Sequence, residues 1–194
     1  MNKKSPIIVL FVVLFGLGMS NAKELKIGSL APTFQARDDR GKDFQSQQLL
    51  GKKNLVVYFY PAAMTGGCTA QACGFRDAQS EFARLNAVVV GVSGDSVQNL
   101  AWFKQVNNLN FLLLADPDGS IAKAFGVLTR DGGEITRTVN DNEVKLVRGV
   151  TESRWTFVID TEGKIVYKDT DVNAGQDSHK VLEFLKLRQG SNEK

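Results

Sequence analysis

Cysteine and histidine are scarce in this chain: two cysteines and one histidine among 194 residues. A structural zinc centre takes four such ligands, so this set makes a poor one. His179 falls in what reads as a solvent-exposed closing helix, which argues against a Cys–His nucleophile pair. Glycine is plentiful, yet no glycine-rich phosphate loop forms. Asp116-Pro-Asp118-Gly119 opens like a calcium loop, but its glycine comes too early and no glutamate stands at the twelfth position. Gly91-Val-Ser93-Gly-Asp95 lacks the last glycine of a nucleophile elbow and reads as a strand end before a helix cap. The net charge is only +3, and the basic residues are scattered. That gives no electrostatic case for binding nucleic acid or an anionic membrane surface. Trp102, Trp155 and the twelve phenylalanines suit core positions and offer no base-stacking platform.

Long apolar runs are also missing. Ile7 to Met19 is apolar for thirteen residues, interrupted only by glycine, and a membrane span takes about 20. Asn2-Lys3-Lys4 precedes that run, and Ser20-Asn21-Ala22 follows with small residues. This is the three-part pattern of a secretory signal, expected over residues 1–22. Retention of the segment as an anchor is the rival reading. Its loss removes Lys3 and Lys4, lowers the net charge to +1 and leaves 172 residues, the size of one domain. A periplasmic or secreted location follows, with no membrane attachment after cleavage.

What remains alternates between two periods. Leu55–Tyr60 and Ala87–Ser93 read as buried strands. Thr65 to about Leu85 reads as a helix, with Phe75, Ala78, Phe82 and Leu85 at helical spacing. Val97–Val106 is a second helix, with Asp95 or Ser96 as its cap. Phe111–Ala115 is a third strand, followed by a turn and a short helix over Ser120–Phe125. Asp160-Thr-Glu-Gly163 joins two strands as a hairpin turn. Asp177 to about Arg188 closes the chain as an amphipathic helix. Phe34 to Phe44 reads as an extra hairpin about Asp39-Arg-Gly41, and Thr129 to Val150 as an irregular surface hairpin. The order predicts a three-layer α/β domain with a mixed central sheet flanked by helices.

Both cysteines fall in one stretch, Pro61-Ala-Ala-Met-Thr65-Gly-Gly-Cys68-Thr-Ala-Gln-Ala-Cys73, between a strand and a helix. A cysteine just inside a helix start sees the positive end of the peptide dipoles, which favours thiolate over thiol. Thiolate is the nucleophile. Thr65, three residues earlier, can bring a hydroxyl to it. Backbone N–H groups around Gly67 and Cys68 lack intrahelical partners. Pro61 withholds one donor and can shield the sulfur. In an exported protein a cysteine pair is often a structural staple, but a bridge across so short a loop constrains little of the unfolded chain.

The spelling P-x-x-x-T-x-x-C resembles the active-site motif of peroxiredoxins, and a second cysteine five positions on resembles their Q-type, or bacterioferritin-comigratory-protein, branch. The resemblance runs from about Leu25 to Leu187 and takes in Ala72-Cys73-Gly-Phe-Arg-Asp77, Gly91-Val-Ser-Gly-Asp95, Phe125-Gly-Val127 and Arg154-Trp-Thr-Phe-Val-Ile-Asp160. It implies a thioredoxin-like fold with an N-terminal hairpin extension over residues 23–194. It also implies reduction of hydrogen peroxide and organic hydroperoxides at Cys68, without flavin, haem or metal. Cys73 would resolve the sulfenic acid as a disulfide, and Arg154 would stand beside the Cys68 sulfur. A thioredoxin-like dithiol protein would recycle the pair, and a monomer is expected. The departure from the family is Gly66-Gly67, where many relatives carry proline. A thiol–disulfide exchange protein or redox sensor using the same pair is the alternative, although such oxidoreductases normally carry Cys-x-x-Cys. In a helix, five residues put the two Cα atoms about 8–9 Å apart, beyond the bridging limit of about 7 Å. The helix start is therefore expected to unwind on oxidation.

Overall fold

The strand β3, Asn54–Phe59, runs through the middle of the molecule, and every residue of it after Asn54 is buried. Its side chains alternate between two cores. Val56 and Tyr58 face one, with Phe75, Phe82, Leu100, Phe103 and Val181. Leu55, Val57 and Phe59 face the other, with Ile121, Phe125, Phe157 and Ile159. Burial on both faces explains why the segment reads as a continuous apolar run.

A computed structural model describes residues 25–192 of the chain. The expected leader, residues 1–22, lies outside the described residues. In chain order the elements are β1 (Gln35–Asp38), β2 (Asp43–Gln45), a 3-10 turn, β3, α1 (Gly66–Asp77), α2 (Gln79–Arg84), β4 (Ala87–Ser93), α3 (Val97–Val106), β5 (Leu112–Ala115), α4 (Ser120–Ala124), β6 (Thr129–Val139), β7 (Asn142–Glu152), β8 (Trp155–Ile159), β9 (Ile165–Asp169) and α5 (Asp177–Asn192). Seven strands form one sheet in the order β2-β1-β5-β4-β3-β8-β9. The β3–β4 and β4–β5 pairs are parallel, and the remaining pairs are antiparallel. Helices α1, α2, α3 and α5 cover one face, and α4 covers the other. This is the expected mixed sheet flanked by helices, with the N-terminal hairpin joined to its edge through β1 and β5.

Two expectations change in detail and one of two offered caps is selected. The single helix expected from Thr65 to Leu85 divides at Ala78 (φ −93°, ψ 1°) into α1 and α2. The break lets α1 pack on α5 while α2 turns onto β4, and Phe75 and Phe82 still meet, with ring centroids 5.7 Å apart. The cap of α3 is Ser96, whose hydroxyl accepts from Asn99 N–H at 3.2 Å. The segment expected to be irregular is a regular ribbon of β6 and β7, paired from Thr129↔Glu152 to Val139↔Asn142. Asn140 and Asp141, at φ 49° and 64°, make its two-residue turn, the left-handed pair that matches strand twist. Gly149 N–H, near the ribbon's far end, bonds Gly94 O at 3.0 Å and ties it to the end of β4.

Candidate active site

β3 stops because Pro61 has no N–H to continue the ladder; the last pairing is Tyr60 N–H to Val92 O at 3.1 Å. The loop that follows is held at several points. Asp95 accepts from Ala63 N–H at 2.8 Å. Met64 sits at φ +62°, a conformation costing about 1–2 kcal/mol in a residue with a Cβ. Arg137, from β6, donates its Nε–H to Met64 O at 2.8 Å, so the ribbon clamps the strained residue.

Thr65 occupies the N-cap position of α1 with extended backbone. Its hydroxyl donates to Ala62 O at 2.9 Å. The proton is therefore directed at the loop, in contrast to the expected approach to the sulfur, and the hydroxyl oxygen is left as an acceptor. The first helical bond runs from Thr69 N–H to Thr65 O at 2.8 Å. The N–H groups of Gly66, Gly67 and Cys68 thus have no intrahelical partner, as the sequence indicates.

Cys68 is buried, 2% exposed. Arg154, immediately before β8, donates from Nη2 to its Sγ at 3.3 Å. The structure thus brings Cys68 and Arg154 together across 86 residues of sequence. A Cβ placed on Gly67 would lie 3.4 Å from the same Nη2, so position 67 borders the guanidinium. Pro61 is half-buried at the head of the loop. Cys73 is half-buried on the same unbroken helix and, like Cys68, is a free thiol. His179 is exposed near the start of α5, its Nε2 3.6 Å from Glu183 Oε1.

Four residues here escape a reading by motif. Gln71, 1% exposed, accepts from Arg154 Nη1 through Oε1 and donates from Nε2 to Asp177 at 2.6 Å. Thr156 donates to the same Asp177 oxygen at 2.7 Å. Asp177 is the first residue of α5 and is fully buried. Burial raises its carboxyl above the usual range, and the Gln71 and Thr156 hydrogen bonds pull it back. Behind the loop Glu152 is fully buried, and neither of its carboxylate oxygens has a partner. Burial first, and then the charge of Asp116, holds it well above the usual glutamate range. The signal that could have found Gln71 is its place one turn after Cys68. Asp177 lies 106 residues from Gln71, and nothing local marks it.

A cleft of about 360 Å³ lies at the opposite end of β3, lined among others by Asn54, Arg84, Asp160 and Arg188. Neither cysteine lines it. Cys68 and Arg154 lie at the other end of the strand, at the start of α1.

Comparison with known proteins identifies the family. The AhpC/TSA family matches residues 27–168. The chain belongs to that family. It is 37% identical over 162 residues to Peroxiredoxin Bcp of Bacillus subtilis, covering 84% of this chain and 96% of that one. Among solved structures, Peroxidoxin BcpB from Mycobacterium tuberculosis is 34% identical, with a TM-score of 0.69 over 84% of this chain and 97% of its own. The Xanthomonas campestris bacterioferritin comigratory protein, solved in trapped intermediate/ligand complexes that bear on alkyl peroxide reduction, is 26% identical. It has a TM-score of 0.65 over 80% of this chain and 91% of its own. The AhpC/TSA chain therefore has the expected thioredoxin-like fold, and its relatives are Bcp peroxiredoxins.

Proposed function

We propose that the protein is a thiol-dependent peroxidase acting on hydrogen peroxide and organic hydroperoxides through Cys68. The observation that carries this reading is the Arg154 guanidinium on the sulfur of a buried cysteine at the mouth of α1. A hydroperoxide needs an in-line nucleophile and donors aimed at both of its oxygens as the bond breaks. The guanidinium fork supplies donors of fixed geometry, and the N–H groups at the start of α1 supply more. The Thr65 oxygen can accept the proton of the incoming peroxide.

The Cys68 thiolate attacks one peroxide oxygen, an S–O bond forms and the O–O bond breaks. The departing alkoxide or hydroxide takes a proton and leaves as alcohol or water. Sulfur has lost two electrons and stands as sulfenic acid. The Cys73 thiol then displaces its hydroxyl as water and closes a disulfide, which a thioredoxin-like dithiol protein reduces to two thiols. Pro61 shields the sulfur during the first step. The leader pattern supports a periplasmic or secreted enzyme with residues 1–22 removed and residues 23–194 forming one domain. The expectation of a monomer rests on its Q-type resemblance. A thiol–disulfide exchange role is less well supported, because such oxidoreductases normally carry Cys-x-x-Cys, and four residues separate the cysteines here.

The test is thiol loss after mixing reduced protein with one equivalent of peroxide in a stopped-flow instrument. Wild type should consume it orders of magnitude faster than Cys68→Ser. Cys73→Ser should give one fast turnover and stop as sulfenic acid. Equal rates for wild type and Cys68→Ser overturn the reading.

A further inference from the structure

We propose that Asp177 and Gln71 form a positioning latch: together they hold Arg154 on Cys68 while α1 is helical, and they must part before Cys73 can reach Cys68. The inference rests on the peroxidase reading above. Its basis is a chain of hydrogen bonds whose polarity is fixed from both ends. A carboxylate only accepts and a guanidinium only donates. The Gln71 amide satisfies both in one orientation, Nε2 to Asp177 and Oε1 to Arg154. Arg154 then has one nitrogen on Gln71 and the other on Cys68. Asp177 thereby acts on the sulfur's cation through an intermediary, without touching the reacting atoms.

The latch is anchored on three elements. Thr156 on β8 donates to the same Asp177 oxygen. Gly74 on α1 lies so near α5 that a Cβ there would meet Ser178 Oγ at 2.8 Å. This close approach keeps Asp177 within reach of Gln71. Gln71 and Asp177 are both shielded from water, which leaves no ready substitute for a lost partner.

Gln71 stands between Cys68 and Cys73 on α1. Unwinding that lets the two sulfurs meet must displace the Gln71 backbone and break both of its side-chain bonds. The pair that readies the sulfur for peroxide therefore also restrains disulfide closure. The two steps respond to it in opposite directions.

The experiment uses hydrogen peroxide and single-turnover kinetics, following thiol loss for the first step and trapping of the sulfenic acid for the second. Asp177→Ala should slow the peroxide step about tenfold, the scale of coupling within one hydrogen-bond network, and should hasten closure. Asp177→Asn, which keeps an acceptor oxygen, should recover most of the first-step rate. Thr156→Val, which removes the other donor to Asp177, should slow that step less than Asp177→Ala does. In a Gln71→Ala background, Asp177→Ala should add no further loss. If Asp177→Ala folds poorly, Gln71→Met keeps volume and helix propensity and should show the same slowed first step and faster closure. Additive losses in the double variant, or an unaltered first step in Asp177→Ala or Gln71→Met, overturn the latch. Those outcomes leave the peroxidase reading intact, which falls only if wild type reacts no faster than Cys68→Ser.

Discussion

Arg154 reaches Cys68 from a position 86 residues further along the chain, and its fork is divided between the sulfur and Gln71. Lysine at 154 would keep the positive charge but present a compact ammonium instead of a planar fork. Arg154→Lys is therefore expected to lose about a hundredfold in the rate of the peroxide step, the scale of misplacing or removing one aimed donor. The binding of substrate should weaken less. Rate constants over a series of peroxide concentrations check this, and a Lys variant at wild-type rate would show that charge alone suffices. Cys68, Thr65 and Pro61 were legible because a strand end, a proline and a helix start occur within eight residues. Arg154 was not legible from spacing, since only folding brings β8 beside α1; a family resemblance named it. The partner of the Thr65 hydroxyl, the carbonyl of Ala62, is set by the loop's conformation and not by spacing.

Helix α1 has to serve two states. It is unbroken from Gly66 to Asp77 with both cysteines in it, and ideal helical spacing of about 8–9 Å between their Cα atoms prevents a bridge. Disulfide formation should therefore remove helix. Far-UV circular dichroism of reduced and peroxide-treated protein should show that loss, and equal spectra would contradict it. Gly66 has open space where a Cβ would stand, so Gly66→Ala adds no clash. It should favour the helical state by about 0.5–1 kcal/mol, slowing closure about two- to fivefold. The peroxide step should not change. Closure kinetics of the variant check this. The β6–β7 ribbon shows what periodicity misses. Its alternation was visible, but the Asn140-Asp141 turn that makes it regular depends on two left-handed residues that lack the usual glycine.

At the scale of the molecule, β3 divides two cores, and the alternating order of strands and helices made that architecture legible. Register and edge placement came from packing. Glu152 is a liability of the whole fold, buried without partners near Asp116 and Asp95. Its carboxyl is held well above the ordinary value, so the native state keeps a proton that the unfolded chain releases once pH passes the usual glutamate range. The unfolded state then binds fewer protons, and stability falls as pH rises, by about 1.4 kcal/mol per unit from this group. Glu152→Gln should remove that slope. Urea unfolding of both proteins between about pH 5 and pH 7 tests it, with wild type losing stability relative to the variant as pH rises. Parallel curves would mean the carboxyl is ionised in the fold.

The central claim is that one sulfur, Cys68, is activated by its helix start and Arg154. The most direct measurement is the second-order rate constant of Cys73→Ser protein with hydrogen peroxide, since that variant keeps Cys68 as its one thiol. The account expects a value orders of magnitude above that of free cysteine; a value equal to free cysteine would contradict it.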